Sequence, residues 1–271
     1  MAAITIEEAG MELDDEQREA WARDGFLVLR GALDEERVAA IAGWVDEVER
    51  WATTGGPGLH HFEQTDTGPA IARSEDLIGH HPGLRALLTE GLLVDLAGQL
   101  FGESALLYKE KVNYKQPGGG GFAPHQDAPA YRFVDHHISV MVPLDPATVA
   151  SGCLWASRGH TRGMLPRDGN RGLAPEVVDE LDWQPVELEP GDLLWFDSYA
   201  PHYSETNGTD RARRALYLTY NAASAGDFRS TYYDDKRAEF DALDGSGGSG
   251  ETVRLSIADD FLGRPVDAPT S

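Results

Sequence analysis

Residues 190–207 read PGDLLWFDSYAPHYSETN. Pro190, Gly191 and Asp192 signal a turn, Leu193 to Phe196 form an apolar run of strand length, and His202 follows at a strand border. Alone, such a histidine is more often structural than a ligand. Its partners lie upstream in His125-Gln126-Asp127. On an extended chain residues i and i+2 share a face, so the imidazole of His125 and the carboxylate of Asp127 stand side by side. The triplet by itself is a weak signal. With His202 it makes a two-histidine, one-carboxylate set, the facial triad of non-haem iron(II) oxygenases, which leaves part of the coordination sphere open.

Shortly after His202 comes Arg213. A planar guanidinium can fork onto a carboxylate and so anchor the far end of a 2-oxoacid that chelates the metal. Ser204 is placed to add a hydroxyl to the same carboxylate. Arg211 and Arg214 flank Arg213 and are rivals for its role.

Around these residues, short apolar runs at 105–115, 137–143, 152–156, 184–188, 192–197 and 214–220 alternate with Gly, Pro and Asp, as in an all-β sandwich or barrel. Upstream, helices are expected at 14–24, from Asp34 onward with Val38, Ile41, Val45 and Val48 as a buried stripe, and at 84–101. A short strand is expected over 26–29 and a loop over 53–60. The chain thus reads as mainly β with helical buttresses. We expect a single domain over 1–271: a helical part about 12–102, a β core about 105–225 and a C-terminal extension about 226–271. The extension contains GSGGSG (245–250), which reads as a flexible surface loop.

Acidic residues number 46 against 23 basic ones, a formal net charge of -23, which argues against nucleic acid and against an anionic membrane surface. No apolar run approaches the roughly 18 residues of a membrane span, and the N-terminus carries no signal pattern. The one cysteine, Cys153, excludes an intrachain disulfide. The expectation is a cytoplasmic protein with a small-molecule partner, either monomer or homodimer.

HQD (125–127), SGCLWASRGHTRG (151–163), PGDLLWFDSYAPHYS (190–204) and NGTDRARRALYLTY (207–220) together resemble the phytanoyl-CoA dioxygenase family over roughly residues 20–225. The resemblance implies a double-stranded β-helix, the cupin-like jelly roll, and a requirement for iron(II), 2-oxoglutarate and dioxygen. The family's metal ligands carry over to His125, Asp127 and His202, and its co-substrate residues to Arg213 and Ser204. Met141 is a candidate for lining the co-substrate pocket and equally a core methionine. Where the family often has Pro-Gly-Ser-His, this chain has Ser157-Arg158-Gly159-His160. The carboxylate of Asp127 argues against a halogenase.

A narrower resemblance lies in YKEKVNYKQPGGGGFAPHQDAPAY (108–131), similar to the subgroup that hydroxylates small organophosphonates such as 2-aminoethylphosphonate. Lys109, Lys111, Asn113 and Lys115 share one face of a strand that leads to the metal triplet. Lys111, Asn113 and Gln126 are the candidate substrate-binding residues, while Lys109 and Lys115 are expected to be exposed. Glu63, Arg73 and Glu75, in HHFEQTDTGPAIARSED (60–76), are expected on a loop capping the site. His136 and His137 read as entry to a strand. The expected activity is hydroxylation of a small polar metabolite, an organophosphonate first. The alternatives are the same chemistry on an amino acid, a carrier-bound acyl group or a natural-product intermediate, a zinc hydrolase, and a metal-binding jelly roll without activity.

Overall fold

Two aspartates set the first helices. Asp14 accepts from the backbone of Gln17, whose side chain returns to the Asp14 N–H, and this capping box starts α1 (Asp15–Asp24). Asp34 caps α2 (Glu35–Thr54), which buries Ile41, Val45 and Val48. The single helix expected at 84–101 is instead two, α3 (Pro82–Thr89) and α4 (Leu92–Phe101). Gly91, at φ 67, breaks them apart, because a right-handed helix cannot pass through that conformation. Helices α5 (Pro175–Glu180) and α6 (Arg229–Asp244) follow later. This computed structural model describes residues 10–159, 163–169, 172–244, 255 and 260–267 of the chain. His160 and the GSGGSG tract at 245–250 lie outside the described residues.

The strands are β1 (Phe26–Leu29), β2 (Leu59–Thr65), β3 (Gly68–Glu75), β4 (Ala105–Lys115), β5 (Phe122–His125), β6 (Ile138–Pro143), β7 (Leu154–Ser157), β8 (Trp183–Val186), β9 (Leu193–Asp197), β10 (His202–Ser204), β11 (Arg213–Ala222) and β12 (Pro265–Val266). They form an eight-stranded sheet, β1-β9-β6-β11-β4-β3-β2-β12, and a four-stranded sheet, β5-β10-β7-β8. The two sheets make the jelly roll. Residues 60–76 are therefore not a capping loop, as expected from sequence, but the antiparallel pair β2–β3. Glu63, Arg73 and Glu75 are buried there, so the usual apolar signature of a strand is missing.

Alternation along each strand divides the core in two. Val112, Tyr114, Val140, Trp195, Leu216 and Leu218 face Ile41, Val45, Leu84 and Leu93 of the helical layer. The opposite face of the same sheet sends Met141, Leu194, Phe196 and Ala215 toward Leu154, Ala156 and Val186 of the four-stranded sheet. Strand β4 is thus covered on both faces. Whatever alternates with Val112 and Tyr114 must sit inside the roll.

Candidate active site: a metal centre in a cationic cavity

His202, the first residue of β10, is the register partner of His125, the last residue of β5. Their ring centroids are 4.3 Å apart. The chain then turns into a short 3-10 segment (Ala128–Ala130), which leaves Asp127 beside the two rings. One potential ligand atom from each of His125, Asp127 and His202 lies within 4.8 Å of the others. This is the one such group found among the described residues.

Backbone carbonyls fix both imidazoles. His125 Nδ1 lies 2.6 Å from the carbonyl of Ala123, and His202 Nδ1 lies 3.0 Å from that of Ala200. A carbonyl only accepts, so each Nδ1 carries the hydrogen and each Nε2 presents a lone pair to the centre. His125 Nε2 faces Asp127 Oδ1 at 3.7 Å and Asp260 Oδ2 at 3.1 Å. A nitrogen this close to two carboxylates shares a proton or a metal cation with them, and this donor set fits a divalent transition metal. Burial pushes the Asp127 carboxyl up, but His202, Lys109, His125 and Lys111 outweigh it and hold the group well below its ordinary range. Burial, with His125 alongside, pushes His202 down to about 4. Both groups are therefore in the form a metal requires.

Alternation on β11 decides among the three arginines. Arg211 is exposed, and Arg214 points outward to Asp145 and Asp46. Arg213 points inward and is 2% exposed. It lines a small hollow that shares Asn113, Phe122, Ser204 and Tyr217 with the cavity at the metal site. Its Nη2 donates to the Gly152 carbonyl at 2.8 Å, its Nη1 reaches the Tyr217 hydroxyl at 3.4 Å, and its Nε is buried with no hydrogen-bond partner. Lys115, expected to be exposed, is buried beside it and donates to Ser204 Oγ at 2.9 Å. Burial and the neighbouring guanidinium push Lys115 down to about 6. An anion arriving here would restore its proton. Met141 lines neither hollow: it is fully buried among Leu194, Phe196 and Ala215, a correction to its expected place beside the co-substrate.

The wall facing the metal site is cationic. Lys109, Lys111, Asn113, Arg73 and Lys236 all line the cavity with His125, Asp127 and His202. Lys109 is buried, not exposed as expected, because the bulk of β4 is covered on both faces. Its ammonium lies 4.2 Å from the Tyr131 ring centroid, and burial pushes it down to about 8. Gln126 also lines the cavity, but its amide is engaged with backbone: it donates to the carbonyls of Tyr199 and Gly163 and accepts from Leu165 N–H. That ties together the loops around the triplet and leaves Gln126 poorly placed for the substrate contact expected of it.

Sequence reasoning missed three site residues from the chain's end: Tyr232 and Lys236 on α6, and Asp260. No local pattern marks them. Residues 260–266 reach the site as a backbone strap, in which Ala123 N–H donates to the Asp260 carbonyl, Leu262 N–H to the Gly121 carbonyl, and β12 pairs with β2. His136 pairs with Asp197 at 2.6 Å, and His137 is buried between the rings of Tyr108 and Tyr131. Neither belongs to a second metal cluster among the described residues. Cys153 is buried and its thiol is pushed up to about 11 by burial, as for a small hydrophobe.

Comparison with known proteins gives the family and the fold. The profile of the phytanoyl-CoA dioxygenase (PhyH) family matches residues 21–215. The chain is 46% identical over 255 residues to the methylphosphonate hydroxylase of Gimesia maris, covering 94% of this chain and 97% of the relative. It is 40% identical to the 2-aminoethylphosphonate dioxygenase of an uncultured bacterium, covering 83% of this chain and 88% of the relative. In fold it is similar to the crystal structure of EctD from S. alaskensis with bound Fe, at TM-score 0.67 and 22% identity, covering 79% of this chain and 78% of that one. No helix among the described residues is long and apolar enough to cross a membrane.

Proposed function

The chain belongs to the phytanoyl-CoA dioxygenase family, and from that premise we propose that it is an iron(II)- and 2-oxoglutarate-dependent hydroxylase of a small organophosphonate. The observation that carries the reading is the meeting, in one cavity, of the His125–Asp127–His202 ligand atoms and the buried ammonium of Lys109 beside Lys111. The metal set supports the chemistry, and the cations opposite support an anionic substrate.

His125, Asp127 and His202 hold the iron, with their Nδ1 bonds to backbone fixing both rings in advance. When bound, iron(II) couples dioxygen activation to the decarboxylation of 2-oxoglutarate, giving succinate, carbon dioxide and a hydroxylated substrate. Arg213 and Lys115 grip the far carboxylate of 2-oxoglutarate, and Ser204, which accepts from Lys115, lines the same hollow and adds its hydroxyl. Phe122, Phe196 and Leu154 wall the cavity and keep water from the reacting centre. Residues 1–271 act as one oxygenase domain, and the segment after 225 is part of its site through Tyr232, Lys236 and Asp260. A zinc hydrolase would leave the Arg213–Lys115 hollow without a task.

The test is succinate release from the iron-loaded protein with 2-oxoglutarate and air. Methylphosphonate or 2-aminoethylphosphonate should stimulate it, with a hydroxylated phosphonate formed in step, and zinc in place of iron should abolish it. Stimulation by amino acids or acyl thioesters alone would discard the phosphonate reading and keep the oxygenase.

A further inference from the structure

The protein satisfies its buried cations in most places. Lys236 sits on Glu75 at 2.6 Å, Lys115 on Ser204 at 2.9 Å, and Arg229 on Glu110. The wall opposite the metal site is different. Lys109 and Lys111 make no hydrogen bond or ion pair among the described residues, and their ammonium groups rest against aromatic rings, Lys109 over Tyr131 at 4.2 Å and Tyr232 at 5.8 Å, Lys111 over Tyr217 at 5.2 Å and Phe122 at 6.0 Å. Burial pushes Lys111 well below its ordinary range, with Arg73 and Lys109 adding to the effect.

Arg73 is the third member of this wall. It is 4% exposed and held from three sides: Nε donates to Asn113 Oδ1 at 3.0 Å, Nη1 donates to the Leu255 carbonyl at 2.6 Å, and Nη1 also stands 3.6 Å from Glu75 Oε1. Its Nη2 is buried with no hydrogen-bond partner. The β3–β4 register explains the grouping, since Arg73 is the partner of Asn113 and Glu75 that of Lys111. All four side chains therefore share the inner face.

Arg73 Nη2 is buried without an acceptor, and Lys109 with the half-buried Lys111 holds its ammonium at the same cavity without one, so this wall is built for an anion that supplies the acceptors. We propose that Arg73, Lys109 and Lys111 bind the three oxygens of a tetrahedral, doubly charged phosphonate group on the substrate. The inference rests on the hydroxylase reading above and goes beyond it by assigning the group that selects the substrate. Asn113, expected to touch the substrate, acts through Arg73 by holding its Nε. Lys236 neutralises Glu75, so that this carboxylate does not draw Arg73 off the cavity. Three donors suit a phosphonate better than a carboxylate, which offers two oxygens. A sulfonate matches the shape with half the charge.

The experiment is calorimetric titration of the iron-loaded protein, saturated with 2-oxoglutarate and kept free of oxygen. The probes are methylphosphonate, 2-aminoethylphosphonate, methanesulfonate and acetate. At least one of the two phosphonates should bind roughly tenfold or more tighter than methanesulfonate, with acetate weaker still. Lys109→Met and Lys111→Met should each weaken phosphonate binding roughly tenfold or more and narrow the gap to methanesulfonate. Each replaces an unpaired cation, buried at Lys109 and half-buried at Lys111, by an apolar chain of similar length. The ligand-free unfolding temperature should therefore hold or rise, which separates lost recognition from lost fold. Variants that fold and bind a phosphonate as the wild type does would overturn the assignment while leaving the hydroxylase reading in place. A wild type that neither binds phosphonates nor responds to them in the succinate assay would overturn the hydroxylase reading itself.

Discussion

His125 and His202 are direct cross-strand partners in the β5–β10 ladder, with ring centroids 4.3 Å apart. The candidate metal centre is thus a property of strand register. A slip of one residue would turn His202 to the other face and dismantle the site without changing any ligand. Replacing His202 or Asp127 by alanine should remove the metal while sparing the apolar core. Metal content after dialysis should fall by more than the 10–100-fold typical of losing an outer-shell partner, and succinate release should fall to background. A variant that kept both would show that the ligands lie elsewhere.

Arg213 and Lys115 converge on one hollow. Removing one buried, hydrogen-bonded charge from an ionic contact costs about 2–5 kcal/mol, or roughly 30- to several-thousand-fold in affinity. Arg213→Met and Lys115→Met should each raise the KM for 2-oxoglutarate on that scale. Arg213→Lys should not restore it, because an ammonium lacks the planar fork. Steady-state kinetics with 2-oxoglutarate varied at a fixed phosphonate concentration would decide the matter. Unchanged KM values would move the co-substrate to another part of the cavity.

Lys115 stands at about 6 and Lys109 at about 8 in the ligand-free protein, against an ordinary 10.5. Both folded values lie below the unfolded one, so across that window the unfolded chain binds more protons than the folded chain. Stability of the ligand-free protein should accordingly rise with pH from about 6 toward 10 through these two groups, and Lys115→Met should flatten the lower part of the rise. Binding of 2-oxoglutarate has the opposite sign. It needs the protonated amine, so it should take up a proton near pH 7.5 and weaken as pH rises. Binding heats measured in two buffers of different ionisation enthalpy would reveal the proton, and heats that agreed would count against this role for Lys115.

Lys236 and Glu75 form a pair buried to about one per cent exposure each. Lys236→Met leaves a buried carboxylate with only His61 and Arg73 nearby, which should destabilise the fold by about 3–5 kcal/mol. Adding Glu75→Gln should recover a large part of that loss. Urea denaturation of the two variants would measure both, and equal losses would show that the unpaired carboxylate is not the source of the destabilisation.

The C-terminal strap passes so close to Gly120 that a Cβ there would lie 2.4 Å from the backbone of Gly263. Gly120→Ala should therefore loosen residues 260–267 and withdraw Asp260 from His125. Limited proteolysis should then cut the C-terminus sooner, with the rest of the domain as resistant as before. Equal cleavage rates would mean that the strap shifts to make room.

Sequence alone determined the residue types and order of the candidate metal set, the arginine region, the series of short apolar runs around it, and the helical layer in front. Those signals are local: a turn, an i and i+2 pair, a periodic stripe. Tertiary structure decided which faces are inside. Strand β4 alternates cations with Val112 and Tyr114, but lysines are mostly surface residues, so Lys109 and Lys115 read as exposed. They are buried because helices cover one face of the sheet and the second sheet covers the other, a fact no single strand carries. Likewise Arg73, Lys236 and Asp260 enter the cavity from a hairpin, a helix and a strap far apart in the chain. Only the pairing of β3 with β4, the docking of α6 through Lys236 on Glu75 and the pairing of β12 with β2 bring them to the candidate metal site, because long-range contacts are set by packing and leave no mark in the local pattern.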